Sequence, residues 1–264
     1  MKKKTINKLL LTTLFFFILS LKSWAVPVGT TSDTRPAAPQ QRKQWNIQGF
    51  NLQLGGTLLG GNVDFMSLNS SISYNYNIGK NQFFIDAGNI FSKAGNNIIA
   101  NRINASGLYA YNLLDNFNLY AYTTHTYDSS IKLDYRLGNG LGVCLHKIAA
   151  PTFKLFLISL GGVTENEWFQ KNSTAFSVRG VLRLNAILPV TDYVDLGIDS
   201  FYTPAIDNFS DYRLYGEAFA LFKITPDTLS FKLSFADEYD SKPQLDVKNN
   251  DYGIFGTFSL DIGK

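Results

Sequence analysis

From Trp45 to the C-terminus the side chains alternate between apolar and polar with a period of two, and no segment after the first 25 residues keeps a 3.6-residue period. Successive side chains of a strand point to opposite faces, so this pattern specifies β-structure with two unlike faces. In Phe65–Ile78 the even positions are Met66, Leu68, Ile72, Tyr74, Tyr76 and Ile78, and Ser67, Asn69, Ser71, Ser73, Asn75 and Asn77 lie between them. In Ala175–Leu188, Phe176, Val178, Leu182, Leu184 and Leu188 alternate with Ser177, Arg179, Arg183 and Asn185. Reading the whole chain this way predicts twelve strands, at 45–59, 65–78, 81–93, 98–112, 117–128, 132–148, 152–164, 174–188, 193–203, 211–224, 228–239 and 251–262. Each is longer than the usual soluble strand of about 5–6 residues and suffices for a tilted membrane crossing of about 9–11.

An even strand number, short turns alternating with mostly longer connections, and prolines confined to the connections predict a closed ladder. The expected fold class is all-β: a closed up-and-down antiparallel transmembrane β-barrel of about twelve strands. Composition decides which face meets lipid. Only 17% of residues are charged and 14% are aromatic, and the polar alternates are mostly Ser, Asn, Thr and Gly. A water-facing exterior would carry more Lys and Glu, so the apolar face is assigned to lipid and the polar face to the lumen. Aromatics gather near both strand ends. Trp45, Tyr76, Phe83, Tyr111, Phe117, Phe153 and Phe222 mark the short-turn side. Phe65, Phe91, Tyr127, Tyr135, Trp168, Phe176, Tyr202, Tyr212 and Tyr252 mark the other. Two interfacial girdles account for that distribution.

The first 25 residues read as a secretory signal: Lys2, Lys3, Lys4 and Lys8, an apolar run from Leu9 to Leu21, and a small-x-small site at Ser23-Trp24-Ala25. Residues 26–44, with Pro27, Pro36 and Pro39, read as a periplasmic tail, and 45–264 as the barrel domain. Five of the 24 basic residues lie in the signal, leaving 19 basic against 21 acidic residues in the remainder. The excess positive charge belongs to the signal, and no nucleic-acid-binding surface is expected. The implied location is the cell outer membrane, reached through the general secretory pathway. The implied partners are outer-membrane lipid and lipopolysaccharide, the outer-membrane assembly machinery and small solutes.

Strand parity assigns Arg179, Arg183, Asp195, Asp199, Arg213, Glu217, Lys232 and Glu238 to the lumen as a candidate charge network. Such a network either filters solutes or braces a narrow barrel as ion pairs. The turn at Pro189–Asp192 is expected to bring Arg183 near Asp199. No hydrolase motif or metal-ligand spacing occurs, and no catalytic, cofactor or metal site is expected. His125 near Asp128 and Ser129 is the sole, weak pointer to a hydrolase. Cys144 is assigned to the lumen as an inert thiol. The segments Glu165–Ser173 and Asp240–Asn250 are expected as outer loops, and they motivate an alternative reading as a surface-binding or adhesin barrel. The acidic stretch Asp237–Asp251 matches no calcium loop.

Several short stretches carry a family likeness: Gly61-Asn62-Val63-Asp64, Asn101-Arg102, Asp134-Tyr135-Arg136-Leu137 with Gly140-Leu141-Gly142, and Tyr239-Asp240-Ser241-Lys242-Pro243. In order and spacing, over nearly all of 50–262, the chain resembles the salt-induced outer-membrane proteins, a domain of unknown function. The resemblance implies an outer-membrane barrel with a structural or salt- and osmotic-stress role, or a narrow solute pore with a charged lumen. It implies no catalytic residues. The chain departs from the usual barrel ending in Phe or Trp and closes on Leu260-Asp261-Ile262-Gly263-Lys264.

Overall fold

The computed structural model describes residues 49–59, 65–150, 153–170, 173–225 and 228–263. The expected signal, tail, residues 45–48 and the stretch Gly61–Asp64 lie outside them. The strands are β1 (Gly49–Leu59), β2 (Phe65–Ile78), β3 (Asn81–Ala94), β4 (Asn97–Leu114), β5 (Phe117–Asp128) and β6 (Leu133–Ala150). They continue with β7 (Phe153–Phe169), β8 (Ser173–Pro189), β9 (Val194–Pro204), β10 (Tyr212–Thr225), β11 (Leu229–Asp240) and β12 (Asn250–Gly263). Every strand pairs antiparallel with its sequence neighbours, and β1 pairs with β12 from Gly49↔Gly263 to Gly55↔Thr257, closing the barrel. Closure removes the edge strands, so the backbone of the wall is paired within the protein.

One end of the barrel, the turn end, holds the connections 79–80, 115–116 and 190–193 together with both barrel termini. The other, the loop end, holds 95–96, 129–132, 205–211 and 241–249. Two hairpins are tight because a glycine takes their first turn position at positive φ, Gly79 at 57° and Gly95 at 56°.

The wall presents its apolar alternates outward: Leu141, Leu160 and Phe258 remain 70%, 61% and 53% exposed. Such residues cover the exterior of every strand pair, the arrangement of an outer-membrane barrel, where lipid replaces a protein core. Outward rings form two belts. At the turn end Tyr76, Phe83 and Tyr109 follow one another at 6.3 and 5.1 Å, and Phe222, Phe231 and Phe258 at 6.3 and 5.0 Å. At the loop end Tyr135 stacks toward Trp168 at 5.4 Å, and Tyr202, Tyr212 and Tyr239 run at 5.9 and 5.8 Å. Phe65, expected in the outer belt, instead faces the lumen and is buried. It is odd-numbered on a strand whose outward residues are even.

The lumen is not uniformly polar. Phe84, Leu108, Ala110, Tyr120, Tyr122, Cys144, Leu157, Val163, Val181 and Phe201 form a buried apolar cluster inside it, contributed by β3 to β9. Glycines on β6 and β7 make room. A Cβ at Gly140 would overlap the Tyr122 ring, and Gly142 and Gly161 meet the Tyr120 hydroxyl in the same way. The two tyrosines therefore lie flat along the inside of the wall, and one side of the lumen is filled.

Candidate functional site: a charged lumen beneath a strapped mouth

β7 continues to Phe169, although a loop was expected to begin at Glu165. Parity is unbroken along the strand: Ser159, Gly161, Val163, Glu165, Glu167 and Phe169 all face inward. Two acidic residues near a strand end looked like loop composition, but arginines from distant strands stabilise them inside. Glu165 Oε2 accepts from Arg179 Nε at 3.0 Å and from Arg213 Nη1 at 2.9 Å. Glu167 Oε1 accepts from Arg136 Nε at 2.6 Å and from Arg213 Nη2 at 3.1 Å. Arg213 Nε reaches Asp240 Oδ2 at 3.2 Å, and Arg179 Nη2 reaches Asp211 Oδ1 at 2.9 Å. The chain of contacts runs from β6 through β7 to β10 and β11, a chord across the loop end. Beside it Arg102 and Asp128, both wholly buried, face one another at 3.9 Å.

The eight lumen charges read from parity do not form one cluster. Arg179 and Arg213 join the chord at the loop end. Mid-lumen, Arg183 holds Asp199 through two parallel bonds of 2.9 and 2.7 Å while its guanidinium lies 4.7 Å over the Phe201 ring. Lys232 Nζ donates to Glu217 at 2.9 Å. Toward the turn end Asp195 pairs with Lys223 at 3.2 Å. Glu238 faces the lumen on β11, two positions from Asp240. Sequence reasoning missed Glu165, Glu167, Arg102, Asp128 and Arg136 as members of this set. Continued parity counting along β4 to β7 would have found them.

Among the described residues, lumen-facing strand positions hold seven basic and eleven acidic side chains, a negative excess of four. Between the chord and the turn end lies a cavity of about 370 Å³ on the barrel axis. Its β1–β5 side is lined by Gln53, Asn69, Ser71, Asp86, Asn104, Ser106 and Thr124, and its far side by Arg183, Asp199, Tyr215, Glu217, Lys232 and Phe255.

The β11–β12 connection, residues 241–249, crosses the mouth above. It is ordered by its own contacts: Asp240 N to Asn249 O at 2.7 Å, Lys242 N to Asp240 Oδ1 at 2.8 Å, and Val247 N to Gln244 O at 3.0 Å. Its tip is held by Lys132, whose Nζ donates to Leu245 O at 2.8 Å and to Asp246 Oδ2 at 3.3 Å. Lys132 sits between β5 and β6, six strands away in a ring of twelve, so the connection is a strap over the full width of the mouth. Both latch residues have left-handed backbones, Lys132 at φ 59° and Asp246 at 65°. Tertiary contacts are holding positions that side chains seldom adopt. The acidic residues of this stretch do not converge: Asp240 turns to Arg213 and Asp246 to Lys132.

The hydrolase constellation is not assembled. His125 faces outward with Nδ1 2.6 Å from the Tyr135 hydroxyl, whereas Asp128 faces the lumen and the Ser129 hydroxyl accepts Asn101 N at 3.0 Å. Cys144 is buried in the apolar cluster. Among the described residues, no three His, Cys, Asp or Glu side chains gather as a metal site.

Known barrels share the outline at low identity. The NanC porin is 10% identical over 81% of this chain and 98% of that one, with a TM-score of 0.43. The KdgM porin is 9% identical over 81% and 97%, at 0.41. The translocator domain of autotransporter NalP from Neisseria meningitidis is 12% identical over 82% and 87%, also at 0.41. No curated protein matches the chain. Apart from Gly61–Asp64 and the mid-strand Gly140-Leu141-Gly142, the stretches that carry the sequence likeness meet at the loop end. Arg102 pairs with Asp128, Arg136 with Glu167 and Asp240 with Arg213, and the Ser241 hydroxyl accepts Tyr212 N at 2.7 Å. The model of a family described as protein of unknown function, DUF481, spans residues 52–259, and the chain belongs to that family.

Proposed function

We propose that the protein is a narrow outer-membrane channel for small hydrophilic solutes, with the strap at its outer mouth as the gate and a lumen that admits cations over anions. One observation carries the reading: a polar cavity on the barrel axis whose surrounding charges are held in ion pairs with an acidic excess. Fixed acidic groups inside a low-dielectric wall raise the local cation concentration. In this reading the signal directs export through the general secretory pathway, the assembly machinery inserts the barrel, and lipopolysaccharide surrounds the loop-end belt. The role in salt or osmotic stress is passage of solute when the strap is released. The adhesin alternative is less well supported, because residues 241–249 fold back across the mouth and the expected loop at Glu165 is strand. Purified protein in planar bilayers tests the proposal. Discrete, cation-selective conductance steps are expected, and a silent bilayer in every salt from low to molar concentration overturns it.

A further inference from the structure

Resting on the channel reading, we propose that the mid-lumen cavity is a binding site for an uncharged polyhydroxylated solute of monosaccharide to disaccharide size. Its volume of about 370 Å³ falls in the range of small-molecule sites, about 300–1,000 Å³. The chemistry of its two sides sets the class. On one side Gln53, Asn69, Ser71, Asn104 and Ser106 present amides and hydroxyls, groups that both donate and accept as sugar hydroxyls do. Asn69 Nδ2 donates to Thr257 Oγ1 at 3.2 Å, which fixes the orientation of the amide. On the other side Tyr215 and Phe255 offer ring surface to the C–H faces of a sugar.

The charges in the cavity argue for a neutral ligand. Arg183 and Asp199 are engaged with each other through both guanidinium bonds, and Lys232 is engaged with Glu217. A solute with an anionic group would have to displace Asp199 or Glu217 from its basic partner and leave that carboxylate exposed to a low-dielectric wall. A polyhydroxylated solute inserts between them by hydrogen bonds and breaks none. The nearby carboxylate of Asp86, which accepts from the Ser106 hydroxyl, adds a strong acceptor for sugar O–H donors and further disfavours anions.

The test uses the purified full-length protein in planar bilayers and in liposomes, with sucrose, glucose, glucuronate and glycine betaine as probes. Sucrose in the millimolar range is expected to reduce the ion current in a saturable manner. Glucose is expected to drive liposome swelling at least fivefold faster than glucuronate. Ser71→Phe, which fills the cavity, is expected to abolish the sucrose effect, with heat-modifiable gel mobility reporting that this variant folds. Conducting channels whose current ignores sucrose, or that pass glucuronate or glycine betaine faster than glucose, overturn the solute assignment while the channel stands. Silent bilayers and unswollen liposomes overturn the channel itself and the assignment with it.

Discussion

Replacing Glu165 with glutamine keeps the side-chain volume and deletes one charge from the centre of the loop-end chord. In the native protein its carboxylate is wholly buried and takes bonds from Arg179 at 3.0 Å and Arg213 at 2.9 Å. With charge centres about 4 Å apart and an effective dielectric of about 20, each contact is about 4 kcal/mol of Coulomb attraction. Removing the carboxylate also relieves its own desolvation, so the net effect is smaller than the sum of two such contacts. Breaking a buried pair from one side costs about 3–5 kcal/mol, and E165Q is expected to lose that much stability. Equilibrium urea unfolding in detergent micelles, followed by loss of the compact gel form, measures it. The reasoning is refuted by a loss below about 1 kcal/mol, the scale of a solvated surface pair. Such a result would mean that water fills the chord and that the arginines need no partner there.

The other predictions concern the gate, the wall and the field. Lys132→Asn, a residue that tolerates a left-handed backbone, removes the latch and is expected to raise channel open probability several-fold at low salt. Because the native pair is exposed and the Debye length falls to about 3 Å at 1 M, native and variant should converge in molar salt; identical gating at low salt refutes the latch. Gly142→Ala drives a Cβ against the Tyr120 hydroxyl and the Leu160 carbonyl and should destabilise by about 1–3 kcal/mol. Leu141→Ile, next door on the lipid face, should change stability by less than half as much in the same urea assay. In a tenfold KCl gradient the reversal potential should move toward the cation limit by on the order of 20–40 mV, against about 59 mV for perfect selectivity, and a value near zero contradicts the acidic excess.

Period-two alternation made the strand count and closure legible, because a lipid-facing wall forces apolar residues onto every second position over long spans. The same parity identified which charges face inward, since one residue of register decides the face. The contacts between non-neighbouring strands were not legible. Arg213 on β10 reaches Glu165 and Glu167 on β7 across two intervening strands, and no local pattern encodes a chord. Parity past Thr164 puts Glu165 and Glu167 on the lumen face, but which arginines hold them is set only by closure of the barrel. Tyr120 and Tyr122 carry no signal in the sequence that separates them from the outward strand aromatics. Their lumen positions become apparent only beside the Gly138, Gly140 and Gly142 row of β6, where successive inward side chains are missing.

The two faces of the wall place different demands on sequence. The exterior needs apolar surface of no particular shape, and Leu, Ile, Val or Phe serve there equally well. The mouth needs charges of given sign at fixed heights and a strap long enough to reach the opposite rim. Arg102, Arg136 and Asp240 meet those demands from three separate strands, and each belongs to a stretch that carries the family likeness. At the loop end the buried chord and the strap above it share Asp240: its carboxylate binds Arg213 below, and its backbone binds Asn249 within the strap. Asp240 is thus the residue that joins the strap to the chord.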